Sequence, residues 1–236
     1  MAILCGIHPV REALRAGRSI EHILIATGAG GARIQEIIDE ARIRKVPVRF
    51  EPRSALERVA SGTVHQGVIA HAAAAAIATM SDAAGDLIIV LDHIEDPHNL
   101  GAVVRTANAV GAGSVVIPDR RSAGLGETVA KAAAGALEYT KLVKVNNINR
   151  ALDDFKEKGY WIYGLDERGA TPHFETVFTT PTVMVLGGEG KGLAEHTRRH
   201  CDFLVKIPMF GKISSLNVSV AAGIVLYEWR RQNPLE

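Results

Sequence analysis

The stretch LIIVLDHIEDPHNLGAVVRTANAVGAGSVVIP, residues 87–118, decides the fold class. It opens on LIIVLD (87–92), an unbroken apolar run ending in Asp, as in a strand buried on both faces. A polar turn follows, then a helix predicted near 99–111. A second apolar run, SVVIP (114–118), comes directly after it. Strand, helix and strand at this spacing form a crossover unit, which sets its two strands parallel. The alternation continues down the chain. Strands are predicted at 141–145, 160–165, 182–187 and 202–207, and helices near 126–136, 147–158, 190–199 and 216–231. This is an α/β fold with a mostly parallel sheet.

Upstream the same alternation appears at smaller scale. Helices are read at 8–17, 32–45 and 54–61, and strands at 20–27, 46–50 and 67–71. Between the two parts lies AAAAAIATMSDAAG (72–85), a break in composition punctuated by Ser81-Asp82 and Gly85. The expected organisation is a small α/β domain over 1–72, a linker over 73–84, and a larger α/β domain over 85–236. Apolar residues make up 47% of the 236 and charged residues 22%, which excludes a disordered chain. Aromatics are only 5%, so Ala, Val, Ile and Leu must build the core. Residues 1–72 hold 10 Lys and Arg against 7 Asp and Glu, while the remainder hold 17 against 19. A mildly basic small domain beside a near-neutral larger one is compatible with phosphate contact by the first. Cys5 and Cys201 are too few and too far apart for a disulfide framework or a zinc site, and fit a reducing cytoplasm. The alanine-rich stretch is too short to span a bilayer, so no membrane is expected.

In a parallel sheet, ligands bind at the carboxyl ends of the strands. Three segments lie at such ends. In the first, Asn99 is expected near the start of a helix. Arg105 lies six residues on, with Gly101 and Ala109 in place of carboxylate partners one turn away. An arginine without a local partner can face a phosphate or a ribose. The second is the strand-to-helix loop Gly187-Gly188-Glu189-Gly190-Lys191-Gly192. It is not a P-loop, since Gly192 stands where Ser or Thr would be. Its Glu189 disfavours a polyphosphate and tolerates a cationic or neutral polar ligand. The third runs from Ile207-Pro208 to Ser214-Ser215-Leu216-Asn217, where Ser or Asn can cap the last helix. His93 and His98 read as polar loop residues rather than metal ligands.

Together, N-L-G-A-V-V-R-T-A (99–107), G-G-E-G-K-G (187–192) and I-P-M through S-S-L-N-V-S-V-A (207–221) resemble, in order, the three motifs of the SpoU family of RNA ribose 2′-O-methyltransferases. This family, also called TrmH, belongs to the knotted SPOUT superfamily. G-I-H-P-V-R-E-A-L (6–14) and H-Q-G-V (65–68) extend the likeness over essentially the whole chain. They look most like the branch that modifies a guanosine of 23S rRNA. The resemblance implies a deep trefoil knot in the C-terminal domain, an N-terminal RNA-binding domain of the L30e type, and a homodimer through the knotted domain. It implies S-adenosylmethionine as cofactor, held by Leu186, Gly187, Gly190, Ile207, Pro208, Ser215 and Leu216. It assigns catalysis to Arg105, with Asn99, Glu189, Ser215 and Asn217 orienting the ribose, and it requires no metal. A tRNA methyltransferase of the same fold, or an RNA-binding assembly factor without chemistry, are the alternatives.

Overall fold

The computed structural model describes residues 1–74, 77–119, 126–188 and 192–235. The chain divides into two compact units, one of Met1–Ala76 with Leu125–Tyr139, the other of Ile77–Gly124 with Thr140–Glu236.

In the first unit, strands β1 (Ala2–Cys5), β2 (Ile20–Ala26), β3 (Val48–Glu51) and β4 (Val68–Ala72) form a sheet of order β1-β4-β2-β3. Only β2 and β3 pair in parallel; β4 runs antiparallel to both its neighbours. Side chains alternate across the sheet. Ile23 and Ile25 face helices α1 (Ile7–Arg15) and α2 (Ala32–Ile43), where Val10, Leu14, Ile34 and Ile37 are buried. Leu24 and Ala26 face α3 (Arg53–Ala60) through Leu56 and Ala60. Strand β1 was not anticipated from the sequence, because four residues at the terminus carry too short a pattern.

Residues 125–139 were expected in the second domain, yet they group with this first unit. A helix at Glu127–Ala133 and a 3₁₀ turn at Ala136–Glu138 are fastened there by polar contacts. Arg18 Nη1 pairs with Glu138 Oε1 at 2.5 Å, Tyr139 donates to Glu12 at 2.9 Å, and Thr63 donates to Glu127 at 3.1 Å. None of these long-range pairs leaves a mark on local periodicity.

The second unit is built on strands β5 (Leu87–Asp92), β6 (Ser114–Pro118), β7 (Lys141–Val145), β8 (Trp161–Leu165), β9 (Thr171–Pro172), β10 (Thr182–Gly187) and β11 (Phe203–Lys206). Their order is β7-β6-β5-β10-β8-β11-β9, and every pairing is parallel. The two-residue β9 is the one strand here that the sequence did not suggest. Helices α4 (Pro97–Ala109), α6 (Ile148–Glu157), α7 (Glu195–Arg199) and α8 (Val218–Gln232) join them, α5 being the Glu127–Ala133 helix above. Helix α6 buries Ile148, Leu152 and Phe155 against Ile88, Val90, Val116 and Val183. The stretch read as linker enters this unit at its far end. Ala78 bridges Val143, a capping box at Thr79 opens a 3₁₀ turn over Met80–Asp82, and Ala83 joins the core.

Helix α4 starts two residues earlier than predicted. Asp96 accepts from His98 N at 2.8 Å and Pro97 fills the first turn, a combination that outcompetes a start at Asn99. Helix α7 is shorter than the predicted 190–199, because Gly192 is left-handed (φ 63°) and Ala194 is extended.

Helices α4 and α8 run side by side and parallel, tied at both ends. At their amino ends Asn217 Nδ2 donates to Asn99 Oδ1 at 3.0 Å. At their carboxyl ends the Arg230 guanidinium donates twice to the Val110 carbonyl, at 2.8 and 2.5 Å. That cation also meets the negative end of the α4 dipole.

Candidate active site

The carboxyl ends of β8, β10 and β11 open into a cleft of about 690 Å³, a size suited to a nucleoside-sized ligand. Its apolar lining includes Leu165, Leu186, Ile207, Met209, Leu216 and Val218. Its charged lining among the described residues is Asp96, Asp166, Glu167 and Arg168, three acids to one base. Such a wall favours a cationic ligand over a polyphosphate, the preference anticipated from the sequence.

Two glycines bring the chain through this region. Gly187 pairs in register with Asp92, and a side chain on it would run into the Gly192 carbonyl and the Leu193 amide. A side chain on Gly188 would strike the carbonyl of His93. Gly188 and Gly192 then bridge antiparallel to each other. Beyond them the Ala194 amide donates to the buried Asp92 carboxylate at 3.2 Å. Asp92 also contacts His93 Nδ1. Only glycine permits such backbone-to-backbone approach.

The amino ends of α4 and α8 meet at the cleft, through Asp96 and Asn99 of one and Asn217, Val218 and Ala221 of the other. Asn217 holds both. Its Oδ1 accepts from the Ser219 amide at 2.9 Å and caps α8, while its Nδ2 reaches the buried Asn99. Two helix amino termini add partial positive charge suited to a carboxylate or phosphate. Acidic wall and helix ends together fit a zwitterionic ligand with a cationic centre.

Of the sequence-predicted residues, Asn99, Leu186, Gly187, Ile207, Ser215, Leu216 and Asn217 line the cleft. Pro208 sits between lining residues without contributing to the wall. Glu189 and Gly190 lie outside the described residues. Arg105 is exposed, away from the cleft, and its side chain makes no hydrogen bond or ion pair among the described residues. Six residues of helix turn it about 120° from Asn99, which explains the separation.

Asp166 was missed. Its side chain is 1% exposed, and its Oδ1 accepts from the Arg168 amide at 2.9 Å. Its Oδ2 has no hydrogen-bond partner among the described residues. No local signal marked it: Asp166 follows β8, and only the sheet order, which sets the carboxyl end of β8 beside that of β10, brings it to the cleft. Neither cysteine is an activated nucleophile. Burial pushes the Cys5 thiol up to about 11 and the Cys201 thiol to about 12. Among the described residues no cluster of His, Cys, Asp and Glu could hold a metal, and no helix is long and apolar enough to cross a membrane.

The SpoU rRNA methylase family model matches residues 86–227, and a model for the RNA 2′-O ribose methyltransferase substrate-binding domain matches 3–78. The chain belongs to the SpoU family. The TrmH family protein YacO of Bacillus subtilis (strain 168), named as a tRNA/rRNA methyltransferase, is 39% identical, covering 98% of this chain and 96% of its own. The SpoU methyltransferase AviRb from Streptomyces viridochromogenes, crystallised with its cofactor S-adenosylmethionine, superposes with a TM-score of 0.84 at 24% identity, covering 98% and 89% of the two chains. The structure of an RNA 2′-O ribose methyltransferase superposes at 0.81 with 26% identity, covering 99% and 89%. This SpoU chain is an RNA methyltransferase, with the family's α/β architecture and an N-terminal substrate-binding domain.

Proposed function

We propose that the chain methylates a ribose 2′-oxygen, that of a guanosine in 23S rRNA, in the cytoplasm. The observation that carries this reading is the hydrogen bond between Asn99 and Asn217. These two motif residues lie 118 positions apart, and they meet at the mouth of one cleft.

Leu186, Gly187, Ile207, Ser215 and Leu216 hold the cofactor in this reading, with Pro208 fixing the backbone between lining residues. Gly190 and Glu189 are assigned by motif alone. Asp166 joins them as an acceptor for a donor group of the cofactor. The threaded topology of the family is part of the proposal. It is supported by the crowding of Gly187 and Gly188 against backbone, and by the return of the chain from Asn217 to α4.

S-adenosylmethionine supplies an electrophilic methyl group when bound. The chain's own residues must position the ribose and ease the loss of its hydroxyl proton to water. Arginine stays protonated, so Arg105 acts by holding a phosphate and stabilising negative charge growing on the 2′-oxygen. Since Arg105 points away from the cleft of its own chain, the complete site is a homodimer in which Arg105 comes from a second copy. An open apolar stripe on α8 supports this. Val220 and Tyr227 are exposed, and nothing lies within 4 Å of a side chain built on Gly223.

The test is methyl transfer from radiolabelled S-adenosylmethionine to unmodified 23S rRNA, 16S rRNA and tRNA in parallel, with the product mapped. Label on a 23S ribose is the expected result. Label on tRNA alone would keep the chemistry and overturn the substrate, and no label on any RNA would overturn catalysis.

A further inference from the structure

The segment between β11 and α8 stands out from the rest of the second unit. Residues 208–216 form neither helix nor strand, and among the described residues they make no hydrogen bond through backbone or side chain. The feet of this loop, Met209 and Ser214, line the cleft. Its tip is Phe210-Gly211-Lys212-Ile213. All four are exposed, Phe210 at 94% and Ile213 at 74%, and nothing lies within 4 Å of a side chain built on Gly211. A fully solvated phenylalanine one residue from a reaction cleft gains nothing for folding.

Charge selects the occupant. From Phe203 to Tyr227 the chain has two lysines, Lys206 and Lys212, and no Asp or Glu. The rim is therefore cationic although the cleft wall behind it is acidic. An aromatic ring beside lysines is the combination that binds single-stranded nucleic acid, the cations drawing in the backbone and the ring stacking on a base. A tip of four residues is also far smaller than the roughly 800 Å² per partner that a stable protein interface needs. We infer that Phe210 stacks on an unpaired nucleobase of the substrate RNA, at the rim of the cleft that receives the ribose. The inference rests on the proposed function for the identity of that cleft. Geometry favours the assignment: a base hangs from the same ribose ring that carries the 2′-hydroxyl, so a ribose in the cleft leaves its base, or the next one, at the rim. The absence of internal hydrogen bonds lets the loop adjust to it.

The experiment uses the full chain with Phe210→Ala and Phe210→Trp. The probe is a fluorescently labelled, unstructured 15-nucleotide RNA. Affinity is read by anisotropy, cofactor affinity by calorimetry, and mass by light scattering. Phe210→Ala should weaken RNA binding by about fivefold or more, with cofactor affinity and mass unchanged. Phe210→Trp should keep the affinity, and RNA should quench the introduced indole. Wild-type RNA affinity in Phe210→Ala, no RNA binding by the parent chain, or a change of mass in Phe210→Ala would each overturn the inference. The last would make Phe210 a contact between copies. Loss of stacking in Phe210→Ala, found alongside a parent chain that methylates no RNA, would sustain the inference and overturn the proposed function.

Discussion

Arg105 and Asp166 present opposite problems, a motif residue outside the cleft and a residue of no motif inside it. If Arg105 acts on the ribose rather than on the cofactor, Arg105→Ala should abolish methyl transfer while cofactor affinity stays within a few-fold, as calorimetry would read. Near-wild-type turnover would remove Arg105 from the chemistry. For Asp166, the substitution Asp166→Asn preserves the acceptor used by the Arg168 amide and replaces the unpartnered oxygen beside Gly192 with a donor. Cofactor binding should weaken about tenfold or more, the scale of a charge-assisted hydrogen bond. A purely structural carboxylate would lower the melting temperature and leave cofactor affinity alone. The sequence marked Arg105 through its motif. It was silent on Asp166 because nothing in L-D-E-R-G (165–169) distinguishes a cleft carboxylate from one that only shapes a turn.

At the scale of elements, α8 is the helix on which the site depends, since its amino end lines the cleft and its length packs against α4 and β10. Trp229 anchors it: the indole is 1% exposed and donates to Thr182 Oγ1 at 2.8 Å. Trp229→Phe should cost roughly 1–3 kcal/mol through the lost hydrogen bond and the space vacated. A lower denaturant midpoint at unchanged slope would show it. Next to that anchor in sequence, Glu228 accepts from Arg231 at 2.9 and 2.7 Å and from Gln232 at 2.7 Å. These hydrogen bonds, Arg231 foremost, bring its carboxyl down to about 2, against about 4.3 for an unfolded glutamate. A depressed folded value means stability fully present above about pH 4.3 and lost as pH falls towards 2. Denaturation midpoints should therefore drop across that window, and Glu228→Gln should flatten part of the drop. An identical pH profile in the variant would discount the contribution. Helix α8 itself was legible as a long periodic segment after a capping Ser or Asn. Its parallel alignment with α4 was not, because the ties at Asn99 and Val110 come from far upstream.

For the whole molecule, the position of Arg105 turns catalysis into a question of assembly. Gly223 lies on the open stripe of α8 with free space above it. Gly223→Trp should leave the fold of a single chain intact, and tryptophan has the better helix propensity. It should convert a dimer to a monomer by light scattering and remove methyl transfer. A dimer that persists, or a parent chain that is monomeric, would place Arg105 in some other arrangement.

The amino-acid sequence by itself determined the strand–helix alternation, the parallel sheet and the placement of three motifs at strand ends. These follow from continuous apolar runs, helical periodicity and capping residues, all set within a dozen neighbouring positions. Tertiary structure alone decided that Asn99 meets Asn217, that Arg230 closes the far end of the α4–α8 pair, and that residues 125–139 join the first unit. It also decided that Asp166 faces the cleft and Arg105 does not. Periodicity fixes which face of its own helix a residue occupies. What that face meets depends on the path of the chain over a hundred residues and more, and no local pattern records that path.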